Sequence, residues 1–271
     1  ISASAANSNI VKIAVSGASL TANDCTFSTE SAGNPTLAAV SGTITLNRCE
    51  VTSPGQVCLL LGSDSVLTVN NSQITQTTAY NYPVIYSQGT LYMNSGTVSN
   101  SSGATAYCVQ SHIIYMRGGK IIQASTQPNY AVIGSYIYMS GGAVTASAER
   151  PMMGIYGIYE GILTGGSVSG FKYGAGVTAT AKIQIGGGLA FSDNDADLFL
   201  VKDAVFTILD DFTGTASVLC KDAIPDNTKR VITTADTDPR KLSQITSADS
   251  QFAVGYDEEG ECLYLYKHVH D

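Results

Sequence analysis

The run Ile114-Tyr115-Met116-Arg117-Gly118-Gly119-Lys120-Ile121-Ile122 returns 23 residues later as Ile137-Tyr138-Met139-Ser140-Gly141-Gly142-Ala143-Val144-Thr145. Working outward, the same nine-position frame opens at Leu91, Leu67, Ile44 and Leu20 on one side and at Gly161 and Ile183 on the other. Successive starts are 22 to 24 residues apart. A period this short and constant marks a stacked repeat, because each unit is too small to bury its own apolar face and closes a core only against its neighbours. Within each unit the first three positions alternate apolar and other residues. A turn follows, and an apolar position returns at Val51, Ile74, Val98, Ile121, Val144 or Val168. A third β-prone run, such as Pro83–Tyr86 or Ala131–Ile133, closes the unit. Three short strands per repeat with no helical period predict an all-β, right-handed parallel β-helix, a three-sided solenoid of eight to nine coils. The leucine-rich-repeat framework is absent.

Read down the columns, the third position of the frame runs Ala22, Leu46, Val69, Met93, Met116, Met139, Leu163, Ile185, an interior aliphatic ladder. The fourth begins Asn23, Asn47, Asn70, Asn94, which predicts side-chain amides hydrogen-bonded from coil to coil at a tight turn. From Arg117 onward paired glycines follow instead, and glycine supplies positive φ at little steric cost. The two halves are therefore expected to make the same corner by different chemistry. The repeat decays after Asp203, which assigns 1–204 to the solenoid. Residues 205–271 are assigned to a different, acidic capping region that ends in a hairpin about Glu258-Glu259-Gly260.

Charged residues make up only 13% of the chain against 44% hydrophobic, with 27 Gly and no Trp, so the surface is mainly hydroxyl and amide. The net charge of −8 is concentrated after residue 192, where sixteen Asp/Glu face seven Lys/Arg. Nucleic acid is excluded as a partner, since phosphate binding needs a clustered basic face. No apolar run approaches the roughly 18 residues of a membrane span. No secretory leader is visible, so any targeting segment is expected to be removed or excluded. The six cysteines form no C-x-x-C pair and read as small buried hydrophobes, with Cys220 and Cys262 the pair to check for a disulfide.

The stacked I-x-M-x-G-G-x-V unit resembles the pectate-lyase-like right-handed parallel β-helix superfamily. It is most similar to repetitive adhesin-like cell-surface proteins of anaerobic gram-positive gut bacteria. The junction Leu189–Leu200 and the closing Val254-Gly255-Tyr256…Gly260-Glu261-Cys262-Leu263-Tyr264-Leu265 match the layout of those chains. The resemblance implies an extracellular, cell-surface or secreted location and a module for adhesion, for binding a glycan or host protein, or for spacing.

Other members of the superfamily cleave polysaccharides, so the alternative is a lyase or glycoside hydrolase acting on an acidic polysaccharide. Such chemistry needs converging acids. Between Asp64 and Asp193 the sequence offers only Glu149 and Glu160. His112, Arg117 and Lys120 form the one compact basic group there, either a lyase base with a carboxylate clamp or a solvated turn. Asp193, Asp195 and Asp197 alternate as in a calcium loop but lack its central Gly and later Glu, so structural calcium stands beside a plain turn. His268 and His270 make a terminal His-x-His. Twelve of the fifteen Tyr fall between residues 80 and 173. Tyr92, Tyr115 and Tyr138 share one outward column. They either present an aromatic strip to sugar rings or a partner protein, or stabilise the sheet as a ladder.

Overall fold

Strand pairing in the computed structural model turns the repeat into a parallel β-solenoid of about eight turns, matching the β-helix expected. The structure describes residues 2–3, 11–13, 16–30, 34–54, 57–78, 81–100, 106–125, 127–147, 151–222, 224–225 and 228–267. Each coil lays down three strands. The first face stacks Val11, Leu37, Leu59, Ile85, Val109, Val132, Ile155, Ala175 and Leu198 in register. The second carries the Ile-x-Met frame, from Leu20 through Ile44, Leu67, Leu91, Ile114, Ile137 and Gly161 to Ile183 and Phe206. The third stacks Phe27, Val51, Ile74, Val98, Ile121, Val144, Val168 and Phe191.

Alternation along every strand sends one column inward and the next outward, and the inward columns of the three faces merge into one axial core. Leu46, Val69, Met93, Met116, Met139 and Leu163 are all buried, as the aliphatic ladder requires. Each such side chain contributes about 1.5–3 kcal/mol when removed from water.

The asparagine ladder forms at the corner between the second and third faces. Asn47 Nδ2 donates to Asn23 Oδ1 at 2.8 Å, Asn70 to Asn47 at 2.8 Å and Asn94 to Asn70 at 2.9 Å. The corner itself differs from the one expected. In the first three coils the left-handed residue follows the Asn directly: Asp24, Arg48 and Asn71, with φ of 53°, 51° and 46°. At Gly96 (φ 103°) it moves one position along the chain and stays there at Gly119, Gly142 and Gly166, before Gly187 (φ 53°) returns it to the earlier position. The two halves therefore make two different corners, and the change comes one coil before Arg117.

The methionines pack against the second corner from Gly119 onward. A Cβ added to Gly142 would lie 2.7 Å from Met116 Cε, and one on Gly166 would lie 2.6 Å from Met139 Cε. A long Met in one coil thus fills the space that a side chain would need in the next. Shape as well as φ excludes anything but glycine there.

Parallel pairing continues through the segment expected to cap it. Phe206–Ile208 adds to Lys182–Ile185, Ala216–Cys220 to Ala196–Leu200, and Ile245–Ser247 to Ala216–Cys220. Beyond these, Phe252–Asp257 and Cys262–Lys267 pair antiparallel, with Arg230–Val231 on the outer edge of the second strand. Leu263 and Leu265 of this small sheet are buried with the solenoid core. Leu263 N also donates to Thr233 Oγ1 at 2.7 Å, beside the backbone bridge from Phe206 to Thr233. Lys241, on a short 3-10 helix over Pro239–Gln244, is buried and donates Nζ to the carbonyls of Asp210 and Phe212 at 2.8 and 3.1 Å.

Two stability tests follow from the corners. Asn70→Ala removes one donated and one accepted hydrogen bond and is expected to cost roughly 1–3 kcal/mol. Asn23→Ala removes only the acceptor at the end of the ladder and should shift the urea midpoint about half as far. Gly142→Ala is expected to cost at least about 1–2 kcal/mol from its left-handed backbone alone. Met116→Ala should not rescue it, because Gly119 O lies 2.8 Å from the same added Cβ. Full rescue would assign the whole penalty to the methionine.

Candidate functional site

The outward columns of the second face are set by strand alternation, and the coil spacing decides what they present. Tyr92, Tyr115 and Tyr138 lie in register and their rings stack. Centroids are 4.9 Å apart in both pairs, with planes inclined by 8° and 16°. The spacing equals the strand separation in a sheet, about 4.8 Å, so the rings lie flat on one another across the coils. Their π faces are turned to each other along the solenoid axis, and solvent meets ring edges and hydroxyls. Thr68 precedes the ladder and Ile162 follows it in the same column. The Arg117 guanidinium sits 5.2 Å from the Tyr92 centroid, a cation–π distance.

Glu160 belongs to this ladder. Tyr138 donates its hydroxyl to Glu160 Oε2 at 3.0 Å. Burial, then that hydrogen bond and the charge behind it, then the adjacent phenols hold the Tyr138 phenol above its ordinary value. Glu160 itself lies in the outward column between Tyr136 and Lys182. Glu149, with which it would have to act, lies outside the described residues, as do His268 and His270.

His112, Arg117 and Lys120 are not drawn together. His112 marks the corner before the strand Ile113–Met116 and Arg117 the corner after it, about 16 Å apart at 3.3 Å per residue. Lys120 opens the next face as an exposed side chain. The Asp193–Asp197 stretch also does not converge. Asp197 accepts from Ser217 N and Oγ, both at 2.9 Å, and from Asn194 Nδ2 at 3.0 Å, which fastens one coil to the next. Asp193 is a left-handed turn residue at φ 56°. Among the described residues no three His, Cys, Asp or Glu side chains gather as metal ligands.

All six cysteines are free thiols, Cys220 and Cys262 included. Cys58 and Cys108 are fully buried, and burial pushes both thiols far above the ordinary range. Cys108 donates to Ile122 O and Gln123 Oε1, each at 3.0 Å, within an interior amide network that includes Asn100 and Asn129. These are packing thiols, not reactive ones.

Sequence reasoning missed a groove at the corner between the first and second faces. It has a volume of about 210 Å³ and crosses successive coils at Tyr86–Gln88, Gln110–His112, Ile133–Ser135 and Ile158. Its floor holds the small residues Ser87, Ser111 and Gly134, which stack in one column. Its walls are Tyr86, Gln110 and Ile133 on one side and Gln88, His112 and Ser135 on the other. His112 stands edge-on to Tyr136 at 5.6 Å, and Tyr136 is tilted by 39° to Tyr159, which is 57% exposed. No Asp, Glu, Lys or Arg lines the groove. A second hollow of about 430 Å³ toward the first coils shares Tyr86 and Gln88 and is lined further by Pro35, Ala38, Val40, Leu60 and the cation of Lys12.

The Tyr138–Glu160 contact predicts a sign. A phenol whose pKa is raised by folding contributes stability that is whole below the unfolded value of about 10 and is lost as pH rises through the folded value. Glu160→Gln should move one late step of the alkaline phenolate titration to lower pH, and Tyr138→Phe should remove that step. An unchanged titration in Glu160→Gln would break the assignment. No family model, curated protein or solved structure matches the chain, and what its geometry establishes is the parallel β-solenoid.

Proposed function

We propose that this chain is a non-catalytic module, displayed outside the cell, that holds a glycan or a partner molecule on the lateral surface of its solenoid. One observation carries the reading. Between Ser65 and Ser192 the only carboxylate among the described residues is Glu160, and it accepts the Tyr138 hydroxyl. Hydrolysis of a glycosidic bond uses two carboxylates about 5–10 Å apart, and among the described residues neither the groove nor the tyrosine ladder supplies such a pair. Elimination from an acidic sugar needs a base beside a cationic clamp, and His112 is separated from Arg117 by a whole strand.

The extracellular and adhesive part of the proposal rests on the likeness of the repeat to adhesin-like surface proteins of the pectate-lyase-like superfamily. It also fits a surface of hydroxyls and amides, which presents many hydrogen-bonding groups and little charge. The rigid ladders suit a molecule that must keep a binding surface at a fixed distance from its point of attachment.

The test is incubation of the full chain with polygalacturonate and with a panel of neutral polysaccharides. Neither new reducing ends nor unsaturated uronate products are expected above the buffer control. Product formation that disappears in Glu160→Gln or Arg117→Ala would replace this reading with an enzyme.

A further inference from the structure

We infer that the groove at the first corner, and not the tyrosine ladder, is the ligand site, and that it takes a linear uncharged glycan lying along the solenoid axis. The inference rests on the binding role just proposed and supplies its location and ligand class. Four observations lead to it.

The groove runs across the strands, so its walls repeat once per coil, at about 4.8 Å. Its lining spans the coils of Tyr86, Gln110, Ile133 and Ile158, three steps or roughly 14 Å by that spacing. A long, narrow ligand fits this shape and a compact one does not.

The groups facing it suit hydroxyls. Gln88 and Gln110 have no hydrogen-bond partner for their side-chain amides among the described residues, and exposed His112 has only its edge contact to Tyr136. Each amide offers a donor pair and an acceptor, and a neutral imidazole offers one of each. Sugar hydroxyls, which both give and accept, are matched by such groups. Tyr86, on the same wall, adds an aromatic ring that is not part of the self-stacked ladder.

An extended polypeptide is a poorer match. Peptides added to sheets are held by main-chain pairing at an open edge. Here the strand Ile85–Met93 is already paired on both sides, with Leu59–Asn70 and Val109–Met116. The groove therefore offers side chains alone.

Charge decides the glycan class. Among the described residues no Lys or Arg lines this groove, unlike the neighbouring hollow with its Lys12, so a uronate or sulfate would lose hydration there without gaining a counter-charge. The tyrosine ladder is the weaker candidate because its ring faces, the surfaces on which a sugar would stack, are covered by one another.

The experiment measures binding of the full chain to hexamers of glucose, mannose, xylose and N-acetylglucosamine, with hexagalacturonate and an extended uncharged peptide as further arms. At least one neutral hexamer should bind. Its affinity should fall tenfold or more in Gln110→Ala and in His112→Ala, with the melting temperature of each held within a degree or two of wild type, and should be unchanged in Tyr115→Phe. Gln110→Glu, which places a carboxylate in the groove without shortening the side chain, should weaken binding as much. Tighter binding of hexagalacturonate or of the peptide, loss of binding in Tyr115→Phe alone, or no binding by any hexamer would overturn the inference. Cleavage of a bound hexamer would instead overturn the non-catalytic reading.

Discussion

Backbone hydrogen bonding between successive coils is the constraint on which the rest of this molecule depends. It fixes neighbouring coils about 4.8 Å apart and in register, so a side chain at one position in the frame meets its counterparts above and below. Only side chains that tolerate their own kind at that distance can fill a column. Aliphatic groups do so inside. An asparagine amide does so at a corner, because it carries both a donor and an acceptor and one Asn satisfies the next. Tyrosine does so outside, ring on ring. A column of like charges does not, since two unit charges at this spacing repel by about 1 kcal/mol even in water. The few charged residues accordingly meet opposite or neutral neighbours. Arg48 forms two 2.7 Å contacts with Asp24 one coil below, and Glu160 lies between Tyr136 and Lys182.

Stacking also couples positions that look independent in the chain. The Met in one coil and the second Gly in the next are two halves of one packing solution: Met93 with Gly119, Met116 with Gly142, Met139 with Gly166. Where the earlier coils carry Ala22, Leu46 or Val69 at that position, the matching residues one coil on are Cys49, Ser72 and Gly96. The left-handed corner residue has already moved at Gly96, in the coil that carries Met93 and one coil before the first methionine–glycine contact. The backbone shift therefore precedes the methionine–glycine contact along the solenoid, and the longer side chain uses space that the shifted corner has already opened.

What could be read from the residues was whatever falls inside the gapless nine-position frame. The period, the interior columns, the asparagine ladder and the outward direction of Tyr92, Tyr115 and Tyr138 all lie within it. The orientation of those rings does not, because alternation gives the side of the sheet while coil spacing gives the stacking. The groove escaped for a different reason. Between the first and second faces one residue separates Ser111 from Ile113 and Gly134 from Tyr136, two separate Ser87 from Thr90, and four separate Leu61 from Val66. His112 and Ser135 therefore hold one place in the repeat, but Gln88 is offset from it, and the three become neighbours only once the strands on either side are paired. The same holds late in the chain, where connections of unequal length separate Phe206–Ile208, Ala216–Cys220 and Ile245–Ser247 and hide the continuing ladder.

The irregular corner is also where this solenoid has freedom to carry chemistry. Regular columns are committed to their own stacking, so their donors, acceptors and ring faces are largely spent on the coils above and below. At the first corner the changing loop length breaks the column at Gln88, while Gln110, in register between Tyr86 and Ile133, has no amide above or below it to pair with, and the paired strands hold both backbones in place. A ligand bound there orders only a few side chains, so little conformational entropy opposes binding. The self-repulsion that keeps charge out of the columns acts on groove walls as well, because residues one coil apart face each other along them. Under the binding role proposed above, a surface built under that rule would meet an axial ligand through neutral hydrogen bonds and ring contacts.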